Sequence, residues 1–143
     1  MGAAVAYSAY RRSEIETLSP RDLLVKMFEC LDRLDEQAAM AMQNGQIELS
    51  TRACQRMRDI VFELQATLNF EVGGEIADRL DALYRFLIVE ITEANLRKDA
   101  KRLRQLQRVI RPLLEGWKGV PDAHSHTTSL TGDGRDNVIN MRG

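Results

Sequence analysis

The chain has 143 residues, a formal net charge of −1 and a hydrophobic content of 44%. This length favours a single domain that can bury a core. The near-neutral charge gives no overall attraction to nucleic acid or to an anionic membrane surface. No apolar run reaches the roughly 18 residues that a membrane-spanning helix requires, and residues 1–6 lack the basic n-region of a secretory signal.

Two cysteines, Cys30 and Cys54, fall inside predicted helices. We interpret them as ordinary buried thiols in a reducing, cytoplasmic environment rather than as a disulfide. They are too few for a zinc site without histidines on the same elements. His124 and His126, with Asp122 nearby, lie in a polar C-terminal stretch with no second ligand cluster. The sequence therefore predicts neither a metal site nor a cofactor.

Two amphipathic helices are predicted in the first half of the chain, over about 20–44 and 47–68. Ser19 is a good N-cap for the first, Pro20 suits its first helical position, and Asn44-Gly45 ends it. Apolar residues recur three or four positions apart in both helices, which is typical of a buried helix face. These stripes are Leu23, Met27, Leu31, Leu34, Ala38 and Met42, broadened by Leu24 and Phe28, and then Ala53, Met57, Ile60, Val61, Leu64 and Leu68.

Two further helices are predicted over about 75–98 and 100–117, with residues 70–74 as the preceding turn and Asp99 as the N-cap between the helices. Pro112 lies inside the fourth helix, where it removes a backbone donor and clashes with the preceding turn. We therefore expect a kink there, or a helix that ends and restarts. The two stripes are Ile76, Leu80, Leu83, Leu87 and Ile91, and then Leu103, Leu106, Ile110, Leu113 and Trp117.

The third helix carries more apolar residues than one buried face can hold. Tyr84, Phe86, Ile88 and Val89 make its second half apolar almost all round, whereas a bundle helix needs only an apolar stripe. The excess indicates one of two arrangements. It packs into the core or a homodimer contact, or it forms a groove for a helical or extended client.

Four helices of similar length with short connections predict an all-α fold, an antiparallel up-down four-helix bundle. We assign residues 1–18 to an N-terminal segment and residues 19–118 to the bundle domain. Residues 119–143 are rich in Gly, Ser, Thr, Asp and Asn and show no helical period. This composition predicts a disordered tail.

Catalytic patterns are weak in this sequence. The acidic pairs Glu14/Glu16 and Glu90/Glu93 sit on predicted surface without a nucleophile or histidine beside them. Gly73-Gly74 lacks the further glycines and the lysine of a phosphate-binding loop. We therefore expect no enzymatic activity. The fourth helix and its entry are basic and could track phosphates, although no aromatic residues interleave, so a solvated face is the preferred interpretation.

Three segments resemble the flagellin export chaperones of the FliS family, in the same order and spacing. The first is residues 10–20 (YRRSEIETLSP), a tyrosine ten residues before a Ser-Pro helix start. The second comprises residues 68–77 (LNFEVGGEIA), Leu83-Tyr84 and residues 93–99 (EANLRKD). The third is residues 115–118 (EGWK). The resemblance covers roughly residues 7–119, and proline at position 112 departs from the family pattern.

This resemblance implies a cytoplasmic, non-enzymatic helical chaperone that holds the C-terminal region of flagellin before export. It also implies that the N-terminal segment folds back as a cap over an apolar groove for which flagellin competes. Tyr10 and Ile15 match family positions in that cap, and Tyr7 has no firm counterpart. The residues expected to form the cap and the flagellin groove are Tyr7, Tyr10, Ile15, Leu24, Phe28, Tyr84, Ile88 and Ile91.

Two functions of different classes follow from these observations. One is a flagellar export chaperone whose partners are flagellin and further export or regulatory proteins, with a homodimer left open. The other is an adaptor that uses the basic face of the fourth helix to meet nucleic acid or a membrane surface. The near-neutral charge favours the first, with no nucleic acid partner and no membrane insertion.

Overall fold

A computed structural model describes residues 19–121 as four α-helices. They are α1 (Pro20–Gln43), α2 (Ile47–Ala66), α3 (Phe70–Arg97) and α4 (Ala100–Lys118). α1 packs against α2 and α4, and α3 closes the ring by packing against the same two helices. The connections are two or three residues long, which forces successive helices to run antiparallel. The predicted all-α four-helix bundle is confirmed for this part of the chain, and none of these four helices is long and apolar enough to cross a membrane.

The helix starts follow the capping chemistry of the sequence. The Ser19 hydroxyl accepts a hydrogen bond from the backbone N–H of Asp22 at 3.1 Å, and the Asp99 carboxylate accepts one from the N–H of Arg102 at 3.1 Å. Each cap satisfies a donor that the first helical turn leaves without an intrahelical partner. The predicted N-caps of α1 and α4 are therefore confirmed.

The start of α3 differs from the prediction. Residues 70–74 were predicted as a turn, but α3 begins at Phe70 because the Asn69 side chain accepts hydrogen bonds from the N–H groups of Glu71 and Val72, both at 3.1 Å. One helical turn forms before the backbone breaks at Gly74, with φ 52° and ψ −122°. A positive φ is inexpensive for glycine, so Gly74 lets the first turn and the rest of α3 take different directions.

The fourth helix continues through Pro112. Of the two outcomes expected there, a kink or an interruption, the interruption is wrong, because α4 runs unbroken from Ala100 to Lys118. Pro112 is exposed, whereas Ile110 and Leu114 on either side are buried in the core. Packing of these two side chains holds both halves of α4 against the bundle and offsets the lost backbone hydrogen bond.

The core is a continuous apolar cluster to which all four helices contribute. Both cysteines are free, Cys54 in the core and Cys30 at its margin. α1 and α4 are joined outside the core by ion pairs: Arg104 to Glu36 at 2.6 Å and Arg111 to Asp32 at 3.0 Å. The largest fully buried apolar side chains are Phe28, Leu31, Met57, Val61, Leu64, Tyr84, Leu87, Ile91, Leu103 and Ile110.

A carboxylate lies among these apolar side chains. Asp35 of α1 is fully buried, and neither carboxylate oxygen has a hydrogen-bond partner among residues 19–121. The arginines of α4 pair instead with its neighbours Asp32 and Glu36. Burial first, and the two neighbouring carboxylates second, raise the pKa of Asp35 from 3.8 to about 8. In the sequence, nothing marks this aspartate as buried except its place one turn after Leu31.

Candidate binding groove

A groove opens at the end of the bundle where α1 and α3 begin and α2 and α4 end. It has a volume of about 410 Å³, and its walls are α3 on one side and the last turns of α4 on the other, with Leu24 of α1 and the α2–α3 connection completing it. The lining residues are Leu24, Thr67, Leu68, Asn69, Val72, Gly73, Ile76, Ala77, Leu80, Tyr84, Pro112, Leu113, Gly116, Trp117 and Val120.

Small residues on facing walls keep the groove open. α3 contributes Gly73 and Ala77, and α4 contributes Gly116. A Cβ atom at Gly116 would have no heavy atom within 4 Å, so the space beside this glycine is empty. The contact between α3 and α4 is also the sparsest among the four neighbouring helix pairs. The apolar stripes of the two helices therefore do not cover each other at this end.

The groove is uncharged. Every residue that lines it is apolar or neutral. Two of its polar side chains serve the helix ends instead: the Thr67 hydroxyl donates to the carbonyl of Leu64 at 2.7 Å, and the Asn69 oxygen caps α3. Such a surface stabilises a ligand mainly through burial of apolar area, at roughly 25 cal/mol per Å².

Three aromatic rings support the floor of the groove. Phe28 is fully buried and lies between Tyr84 and Trp117, with ring centroids 6.5 Å and 6.4 Å away. Tilted ring pairs are favourable, because the positive edge of one ring can approach the negative face of the other. Burial raises the pKa of the Tyr84 hydroxyl to about 12. Phe28 thus positions the two aromatic residues that line the groove.

The structure separates the residues predicted to form the groove into three groups. Leu24 and Tyr84 line it. Phe28 and Ile91 are fully buried in the core, and Ile88 packs against the core from its edge. Tyr7, Tyr10 and Ile15 lie outside the described residues.

The additional apolar residues of α3 also fall into separate groups, some at the core and some on the outer surface of the bundle. Tyr84 enters the core and Ile88 packs on it, whereas Phe86 and Val89 remain 48% and 57% exposed on the outer side of the helix. The groove itself is made by an earlier part of α3 than the sequence indicated. The sequence pattern placed Ile76 and Leu80 on the buried stripe of the third helix and Trp117 on that of the fourth. Only the bundle geometry reveals that this stripe lacks a complete cover.

The basic residues of α4 and its entry are largely engaged within the bundle. Arg104 and Arg111 pair with α1, and Arg102 lies 3.6 Å from Glu90 of α3. The Lys98 ammonium donates hydrogen bonds to Ser50, Thr51 and Asn95, each within 2.9 Å. Ion pairing with neighbouring helices lowers the net positive charge that this face presents to a phosphate backbone.

The family model for the flagellar protein FliS matches residues 3–124. A flagellar secretion chaperone FliS of Campylobacter jejuni is 34% identical over 116 residues, covering 81% of this chain and 91% of the relative. One of Vibrio cholerae is 31% identical over 118 residues, with coverages of 82% and 86%.

The fold is shared with a solved protein. The crystal structure of a bacterial flagellar chaperone superposes with a TM-score of 0.67 and 18% sequence identity, covering 82% of this chain and 95% of the other. At this identity, the superposition supports the four-helix fold alone, and the assignment to a family rests on the sequence matches. With the family model spanning most of its length, this chain belongs to the FliS family of flagellar export chaperones.

Proposed function

We propose that this protein binds the C-terminal region of flagellin in the cytoplasm, prevents its premature polymerisation and aids its delivery to the flagellar type III export apparatus. The observation that carries the proposal is an open, uncharged groove on the bundle of a FliS-family chain. The relatives in Campylobacter jejuni and Vibrio cholerae are named flagellar secretion chaperones.

Physical chemistry supports an apolar groove as the binding element for such a client. The polymerising segment of flagellin is amphipathic, and covering its apolar stripe removes the surface through which it assembles. Burial of that stripe supplies the favourable free energy, while ordering of the client opposes it and keeps the affinity moderate. Moderate affinity suits a client that must be handed over to an export gate. This role is non-enzymatic, with release driven by hand-over.

The adaptor function has less support. A surface that binds phosphates needs cations that are available to the ligand. Arg104 and Arg111 already pair with acidic residues of α1. Lys101 and Arg108 are exposed on α4, but two cations on a neutral chain give little attraction to a polyanion.

Filling the groove with Gly116→Leu tests the proposal. The new side chain enters empty space, and replacing glycine inside a helix favours the helix, so the bundle is expected to stay folded. Because the leucine occupies room that the client needs, we expect the affinity for the C-terminal segment of flagellin to fall at least tenfold. Titration calorimetry with the purified segment measures this.

Glu115→Leu is the matched control, since it adds the same side chain one position earlier on α4, outside the groove lining. It should bind as wild type does. Equal affinities for Gly116→Leu and wild type would rule out the groove as the site. Repeating the titration at several salt concentrations separates the two functions, because apolar binding is nearly independent of salt whereas phosphate binding weakens steeply.

The N-terminal segment is the second element that we propose takes part in binding. Ser19, the first described residue, caps α1, and Leu24 in the first turns of that helix lines the groove. Following the family resemblance, we expect Tyr10→Ala to weaken flagellin binding by roughly 1–3 kcal/mol, as loss of an aromatic anchor does. Titration calorimetry of the variant against the same segment measures this.

Deletion of residues 1–16 distinguishes an anchor from a lid. If the segment only covers the groove, the deletion should tighten binding, because the client no longer has to displace it. If it also contacts the client, the deletion should weaken binding together with Tyr10→Ala. Three equal affinities for wild type, the deletion and Tyr10→Ala would exclude any part for the segment.

A further inference from the structure

Tyr84 brings a polar group to the groove that the fold does not use. Its side chain lines the groove and is only 1% exposed, and its hydroxyl makes no hydrogen bond with any of residues 19–121. The neighbouring polar groups are different. The oxygens of Thr67 and Asn69 are engaged at helix ends, and Trp117 is only partly buried.

The Tyr84 oxygen is not among the buried side-chain atoms that lack a hydrogen-bond partner in residues 19–121, so it keeps contact with the open groove and can bond water there. Phenylalanine would fill the same space against Phe28. The hydroxyl therefore adds little to the stability of the empty bundle. A client that fills the groove displaces this water, and the hydroxyl then needs a partner on the client, since desolvation without one costs free energy.

We propose that the Tyr84 hydroxyl donates a hydrogen bond to a carbonyl oxygen of the bound flagellin segment and fixes its register along the groove. This inference rests on the proposed function. Apolar burial is non-directional, so an uncharged groove alone lets an amphipathic client slide by a turn. Gly116 lacks a side chain, and the space beside it is empty, which leaves room for a main chain, with its carbonyl groups, to approach closely.

The substitution Tyr84→Phe tests the hydroxyl, because it removes one oxygen and keeps the ring. We expect the affinity for the C-terminal flagellin segment to fall about tenfold, since the client carbonyl then enters the groove without a partner. The melting temperature of the free protein should stay the same or rise. Titration calorimetry and thermal unfolding of the full chain measure the two effects.

The outcomes separate this inference from the proposed function. If Gly116→Leu abolishes binding while Tyr84→Phe binds within twofold of wild type, the groove is the site and the hydrogen bond is absent. If Gly116→Leu also binds as wild type does, both proposals fall. As a second readout, the ring Cζ resonance of labelled Tyr84, identified by its loss in Tyr84→Phe, should shift when the segment binds. An unchanged resonance in the saturated complex would overturn the hydrogen bond.

Discussion

Asp35→Asn is expected to make the bundle more stable at pH 8 by about 2–3 kcal/mol, with the gain shrinking as the pH falls. The wild-type carboxyl is buried without a hydrogen-bond partner among residues 19–121 and has a pKa near 8. An unfolded chain restores its pKa to 3.8. Holding this group in the core at neutral pH therefore requires it to take up a proton, which costs free energy.

The direction in which stability changes with pH follows from proton binding. Between about pH 4 and pH 8 the folded state binds the Asp35 proton and the unfolded state does not. The free energy of unfolding of wild type should therefore fall as the pH rises through this window, by up to about 1.4 kcal/mol per unit. Arg104 and Arg111 oppose the shift from α4, but they are less important than burial and the neighbouring Asp32 and Glu36.

Urea unfolding of both proteins at pH 5.5, 7 and 8 measures this dependence. Asp81→Asn is the control, since Asp81 is partly exposed, pairs with Arg85 within α3 and is not among the groups that shift the pKa of Asp35. It should lose a few tenths of a kcal/mol and keep the wild-type slope. If the free energies of unfolding of wild type and Asp35→Asn changed with pH in parallel, the Asp35 carboxyl would have to be solvated or paired.

Phe28→Ala is expected to cost about 3–5 kcal/mol of unfolding free energy, because it removes a fully buried ring and leaves a cavity. The same change removes the support between Tyr84 and Trp117. The family resemblance led us to expect Phe28 in the flagellin groove, whereas the structure buries it behind the groove lining. A core role predicts a loss of stability in the free protein, whereas a role in ligand contact alone predicts a loss of affinity only. Urea unfolding of the free chain measures the difference.

Phe86→Ala is the matched control, as Phe86 is 48% exposed on the outer face of α3. Its cost should stay below about 1 kcal/mol. Phe28→Leu should fall between the two, because leucine fills part of the cavity. If Phe28→Ala unfolded at the same urea concentration as Phe86→Ala, the ring would not be a core element.

Much of the fold could be predicted from local chemistry. Ser19 and Asp99 carry side-chain acceptors at helix starts, and the periodic apolar residues between them identify the buried faces. The start of α3 was missed because the double glycine outweighed Asn69, which also caps a helix. At Pro112, a local rule predicted a possible interruption, and core packing on both sides of the proline kept the helix whole.

The groove could be predicted only in part. Periodicity identifies which residues face inward, but it does not tell whether the opposite helix covers them. Leu80 and Leu113 face inward and still border open space, because α3 and α4 pack only sparsely against each other. Asp35 was missed for a related reason. A single acidic residue beside an apolar stripe is normally at the surface, and only the positions of α2 and α4 place it inside.

Trp117 lines the groove, and it is the only tryptophan in the chain. Any molecule that enters displaces water from the indole, so the emission spectrum of the unlabelled protein should shift to shorter wavelength on binding. Because no second tryptophan contributes to the signal, occupancy of this one groove can be followed optically, in a stopped-flow instrument, at the rate at which a client arrives and leaves. The intrinsic fluorescence of Trp117 therefore reports on binding at the proposed chaperone site without any added label.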